Sequence, residues 1–315
     1  MANTITDKLR SKALEMGLSH VGVARAEPLE RESALLDEWL RKGYHAGMQY
    51  MERNFDKRRD PGELVPGAES VIVVTHNYYS PEEHPQAPNA AKVSRYAWGT
   101  DYHDVFTPKV RELESYLKEI APGTESRSYV DTGPVMEKAW AVSAGIGWLG
   151  KHTNLITKDL GSWVFLGVII TTAKLEYDTP ISDFCGDCTA CIEACPTDAI
   201  PAPYQLDSNK CIPYLTIEHR GEELPGSEDM DFENWVFGCD ICQDVCPWNR
   251  FAQETKEQAY HPREEVLALT LEEASEMNID RFRQLFRKSP VKRTKLDGLK
   301  RNARIVLSQN ESHKD

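Results

Sequence analysis

The chain has 315 residues, 40% of them hydrophobic and 28% charged, enough apolar material for two domains with real cores and too much for a disordered protein. Its longest apolar run, Trp163 to Ala173, is about half of what a bilayer crossing needs, and Asp7, Lys8 and Arg10 stand where a secretion signal would be apolar, so a soluble cytoplasmic protein is expected. The 37 lysines and arginines against 50 acids leave a net charge of −13, which argues against a generally basic nucleic-acid binder.

Ile5 to Met16 has helical apolar spacing and stops at Gly17, after which His20 to Ala24 reads as a strand. Ser33 to Arg53 is an amphipathic helix candidate, interrupted near Gly43 and Gly47. Lys57-Arg58-Arg59 could hold phosphate or face solvent. Ser70 to Thr75 is a β-branched strand, and Pro81, Pro85 and Pro88 make residues 80–89 an irregular loop. Gly99 to Asp104 packs two acids, a histidine and a tyrosine into a cluster suited to bonding a ligand, with helix capping by Asp101 as the competing explanation. Helix resumes from Tyr102 to Ile120. A short strand over Ser128 to Val130 then delivers Asp131 to a turn, where its carboxyl could act as a general acid or simply cap the helix expected from Pro134 to Ala144.

Gly145-Ile146-Gly147-Trp148-Leu149-Gly150 matches G-x-G-x-x-G, and with Lys151 it nearly matches a P-loop. Context rejects both. The glycines follow a helix and precede the strand-like Asn154 to Thr157, and His152 stands where a P-loop needs Ser or Thr, so a glycine-rich helix end is the better reading. Trp163 to Thr172 reads as a buried strand. Residues 281–304 hold ten cations against one acid, Asp297, either a phosphate-binding footprint or a solvated helical face.

All eight cysteines fall between positions 185 and 246. Cys185-x2-Cys188-x2-Cys191-x3-Cys195-Pro196 is the bacterial ferredoxin run, in which three thiolates wrap one cubane and the fourth reaches a second. The second group, Cys211 then Cys239-x2-Cys242-x3-Cys246-Pro247, repeats the ending but sets its first ligand back by 27 residues. The crossed arrangement predicts one 4Fe-4S cluster on Cys185, Cys188, Cys191 and Cys246, and another on Cys195, Cys211, Cys239 and Cys242. Paired structural zinc sites are the competing reading, disfavoured because zinc modules use separated C-x2-C pairs or histidines. The expected fold class is α+β (mixed α/β), divided into 1–178, an α/β domain; 179–250, a ferredoxin-like domain; and 251–315, a short basic helical C-terminal segment.

Trp98 to His103, Val130 to Gly133, Gly147 to Thr153, Cys211 to Gly221 and Gly238 to Asn249, together with the cysteine groups, resemble the epoxyqueuosine reductases over nearly the whole chain. That family is related to the reductive dehalogenases. The resemblance implies a reductive-dehalogenase-like or nitroreductase-like cobalamin-binding domain ahead of the two-cluster one, and reduction of the epoxide on the tRNA wobble base to an alkene, the last step of queuosine synthesis. It implies cobalamin as cofactor besides two 4Fe-4S clusters, and Asp131 as proton donor. Arg58, Ser94, Asp131, Leu155, Leu166, Pro213 and Asp240 are implied near the cobalamin, Ser94 and Pro213 through their backbones. Asp101, Tyr102 and His103 are implied near the base, and His219 and Arg220 at the tRNA, as is the basic tail, which would replace a helical-repeat extension that many relatives carry. A monomer supplied by an unidentified electron donor is expected, with no membrane contact. A dehalogenase of small molecules and a plain electron-transfer protein are the alternatives; the basic tail disfavours the first, and about 180 residues ahead of the cysteines disfavour the second.

Overall fold

The computed structural model describes residues 4–312. Its first part runs α1 (Ile5–Glu15), β1 (His20–Arg25), α2 (Glu30–Arg41), α3 (Phe55–Arg59), β2 (Ser70–Asn77), β3 (Lys92–Val93), α4 (Tyr102–Ile120), β4 (Ser126–Tyr129), α5 (Glu137–Ser143), β5 (Trp148–Leu149), β6 (Leu155–Ile156) and β7 (Val164–Thr171). β1, β2, β7 and β4 form an antiparallel sheet in the order β1-β2-β7-β4. The two middle strands are rich in β-branched residues and almost wholly buried, because helices cover both faces. Side chains alternate between those faces. Ile72 and Val74 pack with Leu9, Phe106 and Leu113 of α1 and α4, while Val71 and Val73 pack with Trp140 and Ala141 of α5. Each such burial stabilises by roughly 1.5–3 kcal/mol. Gly167 lets α4 lie close on β7, since a Cβ there would meet Val110 Cγ2 at 2.7 Å and the Phe106 ring at 3.0 Å.

The second part contains α6 (Ala190–Glu193), β8 (Trp235–Phe237), α7 (Ile241–Asp244), α8 (Glu264–Leu267), α9 (Leu271–Glu276), α10 (Ile279–Leu285) and α11 (Lys295–Ser312). β8 pairs in parallel with β3, and a core of Trp98, Ile212, Phe237, Phe282, Phe286 and Leu299 joins the chain before α4, the segment after Cys211 and the C-terminal helices. Buried Asn302 fastens α11 to this core, donating to the carbonyls of Thr216 at 2.9 Å and Val236 at 2.8 Å. The cysteine segment has little regular structure of its own.

Three local expectations need correction. The helix expected over Ser33 to Arg53 ends at Arg41, because Gly43 turns left-handed at φ +69 and short turns follow. The helix expected from Pro134 begins at Glu137 with Met136 in the cap position, so Asp131 does not cap it. The cationic tail is partly committed to the fold: Arg281 pairs with Glu265 and Glu273, and Arg301 donates to the carbonyls of Leu215, His219 and Gly221. The glycine-rich stretch does end a helix, with Gly145 at φ +69 just past α5.

Candidate active site and cysteine centres

β4 is the edge strand of the sheet, and the chain leaves it through a tight loop, residues 130–136, before α5. Asp131 occupies that loop at φ +57, a left-handed conformation unfavourable for a residue with a Cβ and typical of functional loops. The loop folds closely over Tyr129, for a Cβ on Gly133 would lie 2.1 Å from its ring. Asp131 is exposed, and its Oδ2 accepts a 2.9 Å hydrogen bond from the Tyr102 hydroxyl while His103 Nε2 stands 3.9 Å away. Its backbone N–H donates to Glu137 Oε1 at 2.7 Å.

α4 presents the facing wall. Asp101 caps it by accepting the His103 N–H at 3.0 Å, and the same oxygen meets His103 Nδ1 at 2.8 Å. The capping explanation for Asp101 holds, and the same carboxylate turns His103 Nε2 toward Asp131. The bond to Asp101 raises the His103 pKa. Tyr102 stacks on Phe165 at 4.4 Å, and burial and the neighbouring Asp131 carboxylate raise its phenol above the usual range. Behind the loop, burial and the Asp131 charge push Glu137 up to about 8, so it is a neutral acid at pH 7.

The surroundings are polar and come from distant segments. Arg58 is buried on α3 with its Nε unpartnered, and Tyr50 and Glu137 are its charged or ionisable neighbours. Arg293 pairs with Glu218 at 2.6 Å, and its charge is felt by Asp101, His103, Tyr50 and Tyr96. The Lys288 carbonyl accepts the Asp101 N–H at 2.7 Å, which docks the basic segment directly at this wall. Glu137, Lys138, Tyr50 and Glu218 were not legible as site residues, since no motif spacing marks them; Arg293 was visible only as one cation among ten.

None of the eight cysteines is in a disulfide, and their mutual electrostatics gather them in two groups. Burial, then Cys246, Cys185 and Cys188, push the Cys191 thiol up to about 11. Cys246 is raised by burial, Cys185 and Cys188. In the other group burial and Cys195 push Cys211 up to about 12. Burial raises Cys239, with Cys242 and Cys211 adding to it, and raises Cys242 beside Cys211 and Cys195. Crowded, partly buried cysteines whose thiols resist deprotonation need a cationic metal to become thiolate ligands, which suits the donor chemistry of iron–sulfur clusters. Among the described residues no three His, Cys, Asp or Glu side chains converge as a single-ion site.

The two groups differ in setting. Cys188 of the first is exposed, and Trp148 and Trp248 pack at 4.8 Å beside Cys185 and Cys246. Lys151, the P-loop decoy, donates to the carbonyls of Gly186 at 2.6 Å and Cys188 at 2.9 Å and so holds this group's loop. The second group faces the Asp131 region through Lys138, whose ammonium donates to Thr153 O and Asn154 Oδ1 and feels Cys242, Cys211, Glu137 and Asp131.

The remaining expected residues scatter around this frame. Leu155 and Leu166 lie against the core under α5, and Pro213 is half-buried just after Cys211. Ser94 and Asp240 are buried against each other: the Ser94 hydroxyl donates to Asp240 Oδ1, and the Arg95 N–H donates to Oδ2 at 2.6 Å. Their side chains are thus spent, leaving backbone groups to meet a ligand. A cavity of about 640 Å³ lies on the Cys246 and Asp240 side, among Arg95, Trp98 and Trp163. His219 Nε2 bonds Glu223 O at 2.8 Å, and Arg220 beside it is exposed.

Comparison with known proteins gives one answer. Residues 58–132 match the family described as epoxyqueuosine reductase QueG, DUF1730, and residues 184–249 match the 4Fe-4S double cluster binding domain. The chain is 46% identical over 297 residues to an epoxyqueuosine reductase of Cellulophaga algicola, covering 94% of this chain and 96% of that one. It superposes with TM-score 0.89 and 30% identity on an epoxyqueuosine reductase solved with an epoxyqueuosine-modified tRNA-Tyr stem loop, covering 98% of this chain and 82% of that one. It also superposes, with TM-score 0.88 and 29% identity and the same coverage, on the Bacillus subtilis epoxyqueuosine reductase with its catalytic aspartate loop swung out of the active site. Among the described residues no helix is long and apolar enough to cross a membrane.

Proposed function

The chain belongs to the epoxyqueuosine reductase family, and on that premise we propose how its own residues reduce the epoxide of epoxyqueuosine at the wobble position of tRNA to the alkene of queuosine. In that reaction both carbon–oxygen bonds of the epoxide break, two electrons enter, and the oxygen leaves as water with two protons. The observation that carries the assignment is Asp131, held in a strained left-handed turn with its carboxyl exposed beside Tyr102 and His103. Tyr102 occupies Oδ2, which leaves Oδ1 to carry a proton to the departing oxygen. His103, oriented by Asp101, stands behind as the group that returns a proton to Asp131. The loop bearing Asp131 opens and closes over the site; the Bacillus subtilis relative has its catalytic aspartate loop swung out of the active site.

The cofactors are cobalamin and two 4Fe-4S clusters. Bound cobalamin supplies a low-potential electron source at the epoxide, and the clusters replenish it. Arg58, with its unpartnered buried Nε, suits the polar rim of such a group; Leu155, Leu166 and Pro213 offer apolar contact, and Ser94 and Asp240 backbone contact. Cys185, Cys188, Cys191 and Cys246 would hold one cluster, termed outer for its exposed Cys188, and Cys195, Cys211, Cys239 and Cys242 the other, termed inner because that group faces Asp131 through Lys138. Exposed Cys188 would offer a separate donor its approach to the clusters, and Lys138 lies between the second group and Asp131. Residues 1–178 thus carry the chemistry, 179–250 the electrons, and 251–315 the grip on tRNA.

For that grip the basic segment sits at the right place. Lys288 and Arg293 adjoin Asp101 and His103, and the exposed Arg287, Lys292 and Arg220 can meet anticodon phosphates, with His219 beside them. We infer a monomer working in the cytoplasm. The test is anaerobic reduction of the cluster-loaded, cobalamin-loaded protein with epoxyqueuosine-containing tRNA, with the nucleosides read by mass spectrometry. Loss of one oxygen mass is expected; no conversion with both clusters reducible would refute the reading.

A further inference from the structure

We propose that Glu137 is the positioning residue of the Asp131 loop: by accepting the Asp131 N–H it holds the loop in the left-handed turn that aims the proton donor, and breaking that bond frees the loop to leave. The inference rests on Asp131 being the proton donor of the reaction proposed above.

Two hydrogen bonds and one longer ion pair tie residue 131 to its surroundings. The carboxylate bond from Tyr102 and the His103 contact change when Asp131 gives up or takes a proton, since both depend on its charge. The backbone bond to Glu137, at 2.7 Å, does not. It is the one tie that persists through the reaction. The bonds from the Thr132 N–H to Val130 O and from the Val135 N–H to Gly133 O lie within the loop and shape it without anchoring it.

Glu137 is a suitable anchor because its own backbone is fixed. It is the first residue of α5, which buries Trp140 and Ala141 against the sheet. A left-handed aspartate is otherwise unfavourable, so the turn persists only where its surroundings hold it. The groups facing the Glu137 carboxyl are Asp131 in the loop, Lys138 on α5, Arg58 on α3 and Tyr102 on α4. Burial and Asp131 push it up to about 8, so at pH 7 it sits beside the Asp131 carboxyl without adding a second charge. What the loop needs from it is an acceptor oxygen, which an amide supplies equally well.

The experiment compares Glu137→Gln, Glu137→Ala and wild type by hydrogen–deuterium exchange of residues 130–136, with and without cofactors, and by kcat and KM for epoxyqueuosine-containing tRNA. Glu137→Gln is expected to match wild type within about twofold in both readouts, because it keeps the acceptor. In Glu137→Ala the loop amides exchange about tenfold faster and kcat falls about tenfold or more, with KM, iron content and cobalamin content unchanged. Should the alanine variant fail to fold, Glu137→Leu fills the same space without an acceptor and carries the same expectation. Wild-type exchange and kcat in the alanine or leucine variant would overturn the proposal, as would a glutamine variant as impaired as alanine. Absence of any wild-type turnover would sink the reaction itself, while the exchange data would still decide the role of Glu137 in the loop.

Discussion

The loop of residues 130–136 and the cysteine segment of residues 185–246 meet at Lys138, yet they are built on opposite principles. The cysteine segment gains much of its geometry from short-range spacing: C-x2-C and C-x3-C-P place neighbouring thiols within reach of one another, while Cys211 joins across 27 intervening residues. The loop has no such local logic. Asp131 takes a conformation its own sequence disfavours, and it is kept there by Tyr102 from α4 and Glu137 from α5. The proposed electron path is therefore specified mainly by local spacing and the proposed proton path by the tertiary fold, so damage to each should leave a different signature.

The largest effect should come from the cysteines, and it should separate the inner group from the outer. Cys242→Ser is expected to lose the cluster beside Lys138 and bring turnover below detection, while Cys188→Ser keeps some turnover with a small chemical reductant that can reach the inner cluster directly. Iron content and activity measured together check this, and equal loss in both variants would break the ordering of electron flow. Next, Asp131→Asn should lower kcat by about a thousandfold, the scale of a general acid, with iron and cobalamin content intact. A loss of clusters in that variant would mean that the two regions are not independent.

Removing one hydroxyl tests the loop more gently. Tyr102→Phe deletes the bond to Asp131 Oδ2 and should cost about tenfold in kcat, read from steady-state turnover at saturating tRNA. The pH dependence of stability isolates Glu137. Its pKa is raised in the folded state from 4.5 to about 8, so the native protein binds more protons than the unfolded chain in that interval and loses stability as pH rises through it. Thermal unfolding of Glu137→Gln across the same interval should show a shallower decline than wild type. The smallest effect belongs far from both regions. Arg281→Gln removes pairs with Glu265 and Glu273 and should cost about 0.5–1 kcal/mol, a fall of about 1–2 °C in Tm with kcat unchanged.

Much of the chain was legible before any coordinates. Period-two and period-3.6 patterns located α1, β1, β2, α4 and β7 to within a residue or two at most ends, because each buries a continuous apolar face. The ends that slipped, at Arg41 and Glu137, lie where a left-handed residue or a functional loop overrides helical periodicity. A lone aspartate at a strand end left capping and catalysis open, and only the fold shows that Met136, five residues on, holds the cap position.

The sequence by itself determined the double-cluster cysteine motif, most of the alternating helices and strands, and the family, because these rest largely on residue types at short, fixed separations. Tertiary structure decided the rest. It brought Tyr102, Glu137 and Arg293 from three separate segments to one aspartate, set Arg58 beside Glu137 and Glu218 on Arg293, paired some tail cations within the fold while docking others beside His103, and left Cys188 exposed. Contacts between segments far apart along the chain follow from how faces pack, and no local pattern records which side chains that packing brings together.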